Sequence, residues 1–229
     1  MRIAAETGTD ATLYVTANLK HITTMNKRLC ILLIFLIVIS GFKLLAQEFK
    51  YGFEAGFDIA NSHMTNLPKG ERLYYPMISY NFNGYLGYKI NGLFGASIDP
   101  GFIQKGGLQK GNTDIRFQYN YIQIPILVDL FVTDRFFISI GPEFAYLINA
   151  KAKSANNSND ITQYYDRRKE LSALVGLNYN LNKWLDIGLR YNHGLTYTSK
   201  IILANENGDI IGEMKEYNQY FQLFLRIKI

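Results

Sequence analysis

The sequence contains a single cysteine, Cys30, among its 229 residues. It lies within the first 47 residues, so the rest of the chain has no thiol. A disulfide needs two cysteines, and cysteine-based metal sites need several. Neither device can therefore hold the rest of the chain together. Proline is also scarce, with five residues, so the chain is neither a proline-rich disordered sequence nor a collagen-like one.

Charged residues are sparse as well, at 19% of the chain, whereas soluble domains average about 25%. Residues 1–46 hold five of the 24 basic residues and two of the 19 acidic residues, so the remainder is close to neutral. No block of Lys and Arg is interleaved with aromatic residues, which argues against a nucleic-acid partner. Aromatic residues, in contrast, reach 14%, and nearly all are Tyr or Phe.

Residues 25–47 have the pattern of a secretory signal peptide for the Sec pathway. Lys27 and Arg28 give a positive start, an apolar run extends from Leu29 to Ile39, and Ala46 is a small residue at the expected cleavage site. The apolar run would rise only about 16 Å as a helix, too short for a bilayer core of about 30 Å. A membrane anchor retained on the exported protein is the alternative.

Residues 1–24 fit no targeting pattern and precede a better start at Met25. We interpret them as a mis-assigned N-terminal extension, with a genuine extension as the alternative. We predict cleavage after Ala46 or Gln47, which leaves residues 48–229 as one exported domain.

Within this domain, eight segments alternate apolar and polar residues with a period of two, which is typical of strands with two different faces. The clearest segment places Leu185, Ile187 and Leu189 on one face, and Asp186 and Arg190 on the other. The eight segments are Phe49–Ala60, Ile78–Ile90, Leu93–Lys105, Ile115–Val132, Phe136–Ile148, Leu171–Leu181, Leu185–Asn192 and Tyr217–Ile229. Most exceed the usual five or six residues of soluble strands and suit the roughly 9–11 residues of a tilted transmembrane strand.

The connections between these segments are alternately long and short. The short ones are Asn91–Gly92, Thr133–Arg135 and Asn182–Lys183, and the long ones are Asn61–Pro76, Gly106–Asp114, Asn149–Lys169 and Thr198–Glu216. Outer-membrane barrels have short periplasmic turns and long external loops, and hydrocarbon requires the sheet to close because it cannot hydrogen-bond a strand edge. We therefore predict an all-β fold: one eight-stranded antiparallel up-and-down transmembrane β-barrel in the cell outer membrane.

An eight-stranded barrel is just wide enough for side chains to fill its interior. The polar faces of the predicted strands bring acidic and basic residues inside in comparable numbers. We predict a network of ion pairs and hydrogen bonds made by Glu54, Asp58, Asp129, Glu143, Asp186, Arg190 and Arg226, with Asp99, Lys89 and Lys228 as further charges. Pairing is expected because an unpaired buried charge is costly. A filled structural core is the favoured interpretation, and a polar conduit or small-ligand site is the alternative.

Residues that could perform catalysis are few. His193 is close in sequence to Thr196, Thr198 and Ser199, and a His–hydroxyl pair could support nucleophilic attack on a lipid ester. An interfacial polar role for His193 is the favoured interpretation. We therefore predict no catalytic residues.

Candidate metal ligands are also few, and the histidines lie far apart in the sequence. His21 precedes the leader, and His63 falls in the first long connection, where we expect it to be solvated. We predict no metal site and no cofactor, because the chain offers no cluster of His and Cys. Residues Asn207–Asp209 have too few ligands for a calcium loop and are interpreted as a turn.

The long connections are rich in tyrosine and also carry the basic run Arg167–Lys169. The tyrosines are Tyr74, Tyr75, Tyr164, Tyr165, Tyr217 and Tyr220. Such a surface could bind a partner or the phosphates of lipopolysaccharide, since Arg and Lys pair well with phosphate. An aromatic girdle with solvated loop ends is the favoured alternative.

Four segments carry motifs that are characteristic of one known family. Tyr121–Val128 (YIQIPILV) is similar to a Tyr-Leu-Gln-Ile-Pro-Leu-Leu strand, and Phe137–Glu143 (FISIGPE) to a Gly-Pro motif in the next strand. Gly101–Gly106 resembles a strand that ends in Lys-Gly, and Leu189–Leu195 resembles a late Arg-Tyr-x-x-Gly-Leu motif. In these motifs the chain resembles the PorT-like outer-membrane β-barrel family of Bacteroidota, and the resemblance covers essentially the whole exported domain. It implies a barrel and no catalytic residues, and the family name comes from a component of type IX secretion.

The sequence thus predicts a non-enzymatic outer-membrane protein with a structural or partner-binding role. Its expected partners are outer-membrane lipid and lipopolysaccharide, with other envelope proteins as a further candidate class and no nucleic acid. An accessory component of type IX-like protein secretion is one alternative. A lipid A-modifying hydrolase is the other.

Overall fold

The computed structural model describes residues 49–67, 72–155, 157–165, 167–204 and 210–229. The predicted extension (1–24), the predicted signal peptide (25–47) and the predicted turn at 207–209 lie outside these residues. The strands are β1 (Phe49–Met64), β2 (Met77–Lys89), β3 (Phe94–Ile98), β4 (Gly101–Gln109), β5 (Ile115–Phe131), β6 (Phe136–Lys153), β7 (Ser158–Asp160), β8 (Lys169–Asn180), β9 (Leu185–Gly194), β10 (Ser199–Ala204) and β11 (Ile210–Lys228). A 3-10 turn at Thr162–Tyr164 precedes β8.

The strands form one antiparallel sheet that closes on itself. Eight wall positions follow one another in chain order: β1, β2, β3 together with β4, β5, β6, β8, β9 and β11. The ring is sealed where β11 pairs with β1, from Gly52 opposite Lys228 to Met64 opposite Glu216. The predicted eight-stranded antiparallel up-and-down barrel is thus confirmed.

The third wall strand is interrupted, so the single predicted strand Leu93–Lys105 is wrong in this detail. β3 and β4 each pair with both β2 and β5. Pro100 lies between them and has no N–H to donate to a ladder, while the Gly84 N–H donates to the Pro100 carbonyl at 2.8 Å. A side chain at Gly101 would lie 2.4 Å from the Phe82 carbonyl oxygen. Glycine therefore allows the chain to resume close pairing after the break.

Three short turns lie at one end of the barrel, and a polar side chain closes each of them. The side-chain oxygens of Asn91 and Asn182 each accept the backbone N–H two residues ahead at 2.8 Å. Thr133 accepts the N–H three residues ahead at 2.9 Å. The Ile229 N–H donates to the Tyr51 carbonyl at this same end. In an outer-membrane barrel, the end with short turns faces the periplasm.

At the opposite end, two of the predicted loops contain strands. β6 continues to Lys153, which pairs with Ser158 of β7, and β10 pairs with the extended β11 from Ser199 opposite Glu216. The predicted loop bounds Asn149–Lys169 and Thr198–Glu216 are therefore wrong. The sequences of these hairpins lack the alternation of apolar and polar residues, because strands that project beyond an apolar wall do not need one apolar face.

The outer wall is apolar and the interior is polar, which reverses the arrangement of soluble proteins. Phe57 on the wall is 72% exposed, whereas Arg226 inside is 1% exposed. The same alternation runs along β1, β2, β5, β6, β8, β9 and β11. Such a wall suits surrounding hydrocarbon. None of the described residues forms a helix with the length and hydropathy that a membrane crossing requires.

Candidate functional site: the charged interior of the barrel

Four buried side chains form a central cluster: Glu54 on β1, Asp99 between β3 and β4, Arg190 on β9 and Arg226 on β11. Arg190 donates to the two carboxylate oxygens of Glu54 at 2.6 and 3.1 Å. Arg226 donates to Glu54 Oε2 at 2.9 Å and to Asp99 Oδ2 at 3.4 Å. Two guanidinium groups thus balance two carboxylates, which makes their burial tolerable.

A second group of charges continues from the central cluster towards the short turns. Lys228 Nζ lies 2.5 Å from Asp186 Oδ1, and Arg226 Nη1 lies 3.8 Å from Asp186 Oδ2. Beside them, the Ser139 hydroxyl donates to Asp129 at 2.5 Å. The half of the interior nearer the short turns is therefore held together by charged and hydrogen-bonded side chains from four wall strands, β5, β6, β9 and β11.

Lys105 and two carboxylates form the loop-end cluster, named for its place nearer the long loops. Lys105 Nζ lies 2.9 Å from Glu143 Oε1 and 2.8 Å from Glu170 Oε1. The Tyr220 hydroxyl donates to Glu143, and the Asn218 side chain donates to Glu170 Oε2 at 2.7 Å. One ammonium group therefore faces two carboxylates, and a phenol, an amide and the Ser172 hydroxyl supply further donors.

A chain of phenols closes the interior at the long-loop end. Tyr165, just after the 3-10 turn, donates to the Tyr119 hydroxyl at 2.7 Å, and Tyr119 donates to Glu216 Oε1 at 3.1 Å. Burial raises the pKa of the Tyr165 phenol, and the nearby Glu216 carboxylate acts in the same direction. Tyr165 therefore stays a neutral hydrogen-bond donor. The long loop before β8 thus places a side chain in the mouth of the barrel.

Aromatic rings fill the space around the central cluster. The Arg226 guanidinium carbon lies 3.9 Å from the Tyr85 ring centroid, and that of Arg190 lies 4.2 Å from the Phe224 ring centroid. Gly188 makes room for Phe224, because a Cβ there would lie 2.2 Å from Phe224 Cζ. A cavity of about 20 Å³ near the short turns has room for about one water molecule. In the part of the chain that the structure describes, side chains occupy the interior.

The seven residues predicted to form the polar network all lie inside the barrel, but they differ in their partners. Five take part in salt bridges: Glu54, Glu143, Asp186, Arg190 and Arg226. Asp129 and Asp58 have only hydrogen-bond partners among the described residues, and both Asp58 oxygens lie 3.0 Å from Asn81 Nδ2. Lys89, also predicted to point inward, is half-buried, with Nζ 4.5 Å from the Phe131 ring centroid.

The alternation pattern misses three charged residues of the interior: Lys105, Glu170 and Glu216. Lys105 ends the predicted third strand, where the break at Pro100 disturbs the alternation. Glu170 and Glu216 fall just outside predicted strands, at the ends of long connections. Extending each predicted strand by one residue at its start would have assigned both glutamates to the inner face.

His193 lies on β9 with its ring on the outer wall. Its Nδ1 is 3.2 Å from the Tyr191 hydroxyl, and its ring stacks on that of His63, with centroids 5.8 Å apart. His63 belongs to β1 and is half-buried, with its ring centroid 5.4 Å from that of Tyr217. The prediction of a solvated His63 in a loop is therefore wrong, because β1 extends further than its apolar alternation.

The hydroxyl groups considered as partners of His193 have other contacts. Thr196 accepts a backbone N–H of β8 at 3.0 Å, and Thr198 donates to a backbone carbonyl of β11 at 3.3 Å. Ser199 begins β10 and forms no hydrogen bond with His193 among the described residues. Within the described ranges, no three His, Cys, Asp or Glu side chains are arranged to hold a metal ion.

The tyrosines that the sequence places in long connections separate into two groups. Tyr165 and Tyr220 turn into the interior and are buried, so their assignment to a loop surface is wrong. Tyr164 is exposed, and Tyr74 packs edge-on against Phe117 with ring centroids 5.5 Å apart. The adjacent basic residues 167–169 are exposed.

Comparison with known proteins finds no match among curated protein sequences. Among solved structures, the chain is similar to Ail, the attachment invasion locus protein of Yersinia pestis, at 12% identity and a TM-score of 0.45 over 80% of this chain and 99% of that one. It is also similar to Neisserial surface protein A at 14% identity and a TM-score of 0.47, over 78% and 97% of the two chains. OprG from Pseudomonas aeruginosa gives 13% identity and a TM-score of 0.39, over 79% and 94%.

The sequence model of one protein family covers most of the barrel. This family is described as an outer membrane protein beta-barrel domain, and its model matches residues 45–200, more than half of the chain. The matched range extends from the start of β1 to the start of β10 and includes seven of the eight wall positions. The chain therefore belongs to the outer membrane protein beta-barrel domain family.

Proposed function

We propose that this chain is a non-enzymatic outer-membrane protein with a structural or partner-binding role and a lumen filled by its own side chains. The observation that carries the proposal is the continuous occupation of the interior, from the Lys228–Asp186 pair through the central cluster to the buried phenol of Tyr165. A filled interior leaves the loops and the outer wall as the surfaces on which other molecules can act. Family membership supports an outer-membrane location.

Planar bilayer recordings test the filled lumen. The purified residues 48–229, refolded in detergent and added to a bilayer, should produce no conductance above leak, while an open porin in the same setup should conduct. A stable single-channel conductance from the wild-type protein would overturn the proposal.

An accessory role in secretion is a second candidate. The PorT-like motifs Tyr121–Val128 and Phe137–Glu143 support it, together with the exposed basic and aromatic residues beside the long loops. A strain that lacks the gene should then retain secretion cargo in the periplasm, and a plasmid copy should restore export. Normal cargo export in the deletion strain would exclude this candidate.

A lipid A hydrolase is less well supported, since the threonine hydroxyls near His193 are engaged by backbone groups. Mass spectra of lipid A from wild-type, deletion and His193→Ala strains should be the same. A change in acyl or phosphate content that depends on His193 would establish an enzyme.

Export by a cleaved signal peptide is part of the same proposal. Met25 is its translation start, and cleavage follows Ala46 or Gln47. Mass spectrometry of the protein from outer membranes should find Gln47 or Glu48 as the N-terminal residue. Detection of peptides from residues 1–24 would show that the extension is translated.

A further inference from the structure

The outer wall has a groove of about 510 Å³ beside the long loop that precedes β8. Phe144, Tyr146 and Leu171 form its apolar floor, and Thr196 lines one side. Phe144 and Leu171 are direct cross-strand partners on β6 and β8, so the floor is part of the rigid wall. A groove of this volume falls within the roughly 300–1,000 Å³ of typical ligand sites.

Three consecutive cations, Arg167, Arg168 and Lys169, lie exposed at the head of this groove. The Leu147 N–H donates to the Arg168 carbonyl at 2.8 Å, which fixes the segment to β6. The Arg167 guanidinium carbon lies 4.5 Å from the Tyr197 ring centroid. Among the described residues, none of the three cations forms a salt bridge. We call these cations and the apolar floor together the basic groove.

The apolar floor of the basic groove continues down the wall. A second groove of about 430 Å³ shares Leu171 with it, and a third of about 840 Å³ shares Val175 and Tyr191 with the second. Both further grooves are lined mainly by apolar side chains of the outer wall. Positive charge at the head of a long apolar surface complements a molecule with an anionic head and hydrocarbon chains.

We propose that the basic groove binds a phosphorylated glycolipid of the outer leaflet, with its phosphate on the cations and its acyl chains along the wall. Guanidinium groups bind phosphate through paired hydrogen bonds, and the contact between Arg167 and Tyr197 restricts one of them before the lipid arrives. The apolar floor favours a lipid over free phosphate, which would gain nothing from it. This assignment rests on the proposed function, in which the protein lies in the outer membrane and acts through its outer surfaces.

Native mass spectrometry of the detergent-solubilised protein tests the assignment with diphosphorylated lipid A as the probe. The triple variant Arg167→Gln, Arg168→Gln, Lys169→Gln should bind about tenfold more weakly than the wild type, because it loses the charged hydrogen bonds to phosphate. The control variant Lys110→Gln, Arg116→Gln, Lys153→Gln removes the same charge from other exposed positions at the long-loop end. It should bind as the wild type does.

Two further titrations identify the ligand. Dephosphorylated lipid A should bind wild-type protein about tenfold more weakly than the diphosphorylated form, and millimolar inorganic phosphate should not displace the lipid. Equal binding of both lipids, or equal losses in the two triple variants, would overturn the proposal, and displacement by phosphate would overturn the choice of a lipid.

Heat-modifiable gel mobility checks that each variant folds. If the triple variant fails to fold, lipid A binding is measured with the single variant Arg168→Gln instead. We expect it to bind lipid A more weakly than the wild type, and unchanged binding would overturn the proposal. The conductance test of the filled lumen does not depend on this outcome, so failure of one proposal is distinguishable from failure of the other.

Discussion

The central cluster and the loop-end cluster hold buried charge in different ways. In the central cluster, Arg190 and Arg226 face Glu54 and Asp99, so charges balance and each guanidinium offers several donors. In the loop-end cluster, Lys105 is the one cation beside two carboxylates, and neutral phenol, amide and hydroxyl groups donate the other hydrogen bonds. Loss of one cation should therefore be more damaging in the loop-end cluster than loss of one carboxylate in the central cluster.

The largest effect is expected from Lys105→Met. The change leaves Glu143 and Glu170 buried without their cation, and we expect the free energy of unfolding to fall by about 3–5 kcal/mol. Urea unfolding from lipid vesicles, followed by the fluorescence of the chain's one tryptophan, Trp184, measures it. Combining the change with Glu143→Gln and Glu170→Gln should recover part of the loss. A loss below about 1 kcal/mol would contradict the dependence on one cation.

A smaller decrease in the free energy of unfolding, about 2–3 kcal/mol, is expected from Glu54→Gln. The amide oxygen still accepts a hydrogen bond, and Asp99 still faces both guanidinium groups. The same urea titration measures it. Asp58→Asn is the matched control, since Asp58 has no salt bridge among the described residues. If the control cost as much as Glu54→Gln, the pairing in the central cluster would not be what stabilises the interior.

Tyr165→Phe should lower the free energy of unfolding by about 1 kcal/mol, because it removes the hydrogen bond to Tyr119 and keeps the ring. The exposed neighbour Tyr164 offers a control, and Tyr164→Phe should leave the unfolding midpoint unchanged. Equal effects of the two changes would show that the phenol chain contributes nothing to stability. Proteolysis of the intact protein gives an independent measure, since the loop before β8 should be cut faster in the Tyr165 variant.

The smallest effect is expected from Lys200→Gln, which breaks the salt bridge between Lys200 and Glu213 at 3.0 Å. Both side chains are exposed, so water and salt screen their attraction. The urea midpoint should not change at low or high salt. A measurable loss would place this projecting hairpin among the stabilising parts of the molecule.

Much of the wall follows directly from the sequence. A period of two assigns the apolar side chains of β1, β5 and β9 to the outer face, because hydrocarbon outside and a polar interior impose one pattern on every strand. The inward positions of Glu54, Arg190 and Arg226 follow from the same rule. Strand ends are less predictable, since the pattern disappears where β6 and β11 leave the apolar band.

The pairing inside the barrel does not follow from the sequence. Alternation indicates that a side chain points inward, but the partner across the interior depends on the register and stagger of all eight wall strands. Lys105 and Glu170 are separated by 65 residues along the chain and meet only because the ring closes. Tyr165 enters the mouth from a loop, where no periodic pattern exists.

The closure of the ring has a consequence for assembly in the membrane. Glu54 lies on the first strand, and its partners Arg190 and Arg226 come 136 and 172 residues later. A chain whose last strand has not yet paired with the first would hold Glu54 apart from both arginines in the middle of the wall, where hydrocarbon disfavours unpaired charges. Forms with an open seam are thereby disfavoured relative to the closed ring, in which Glu54 contacts both arginines.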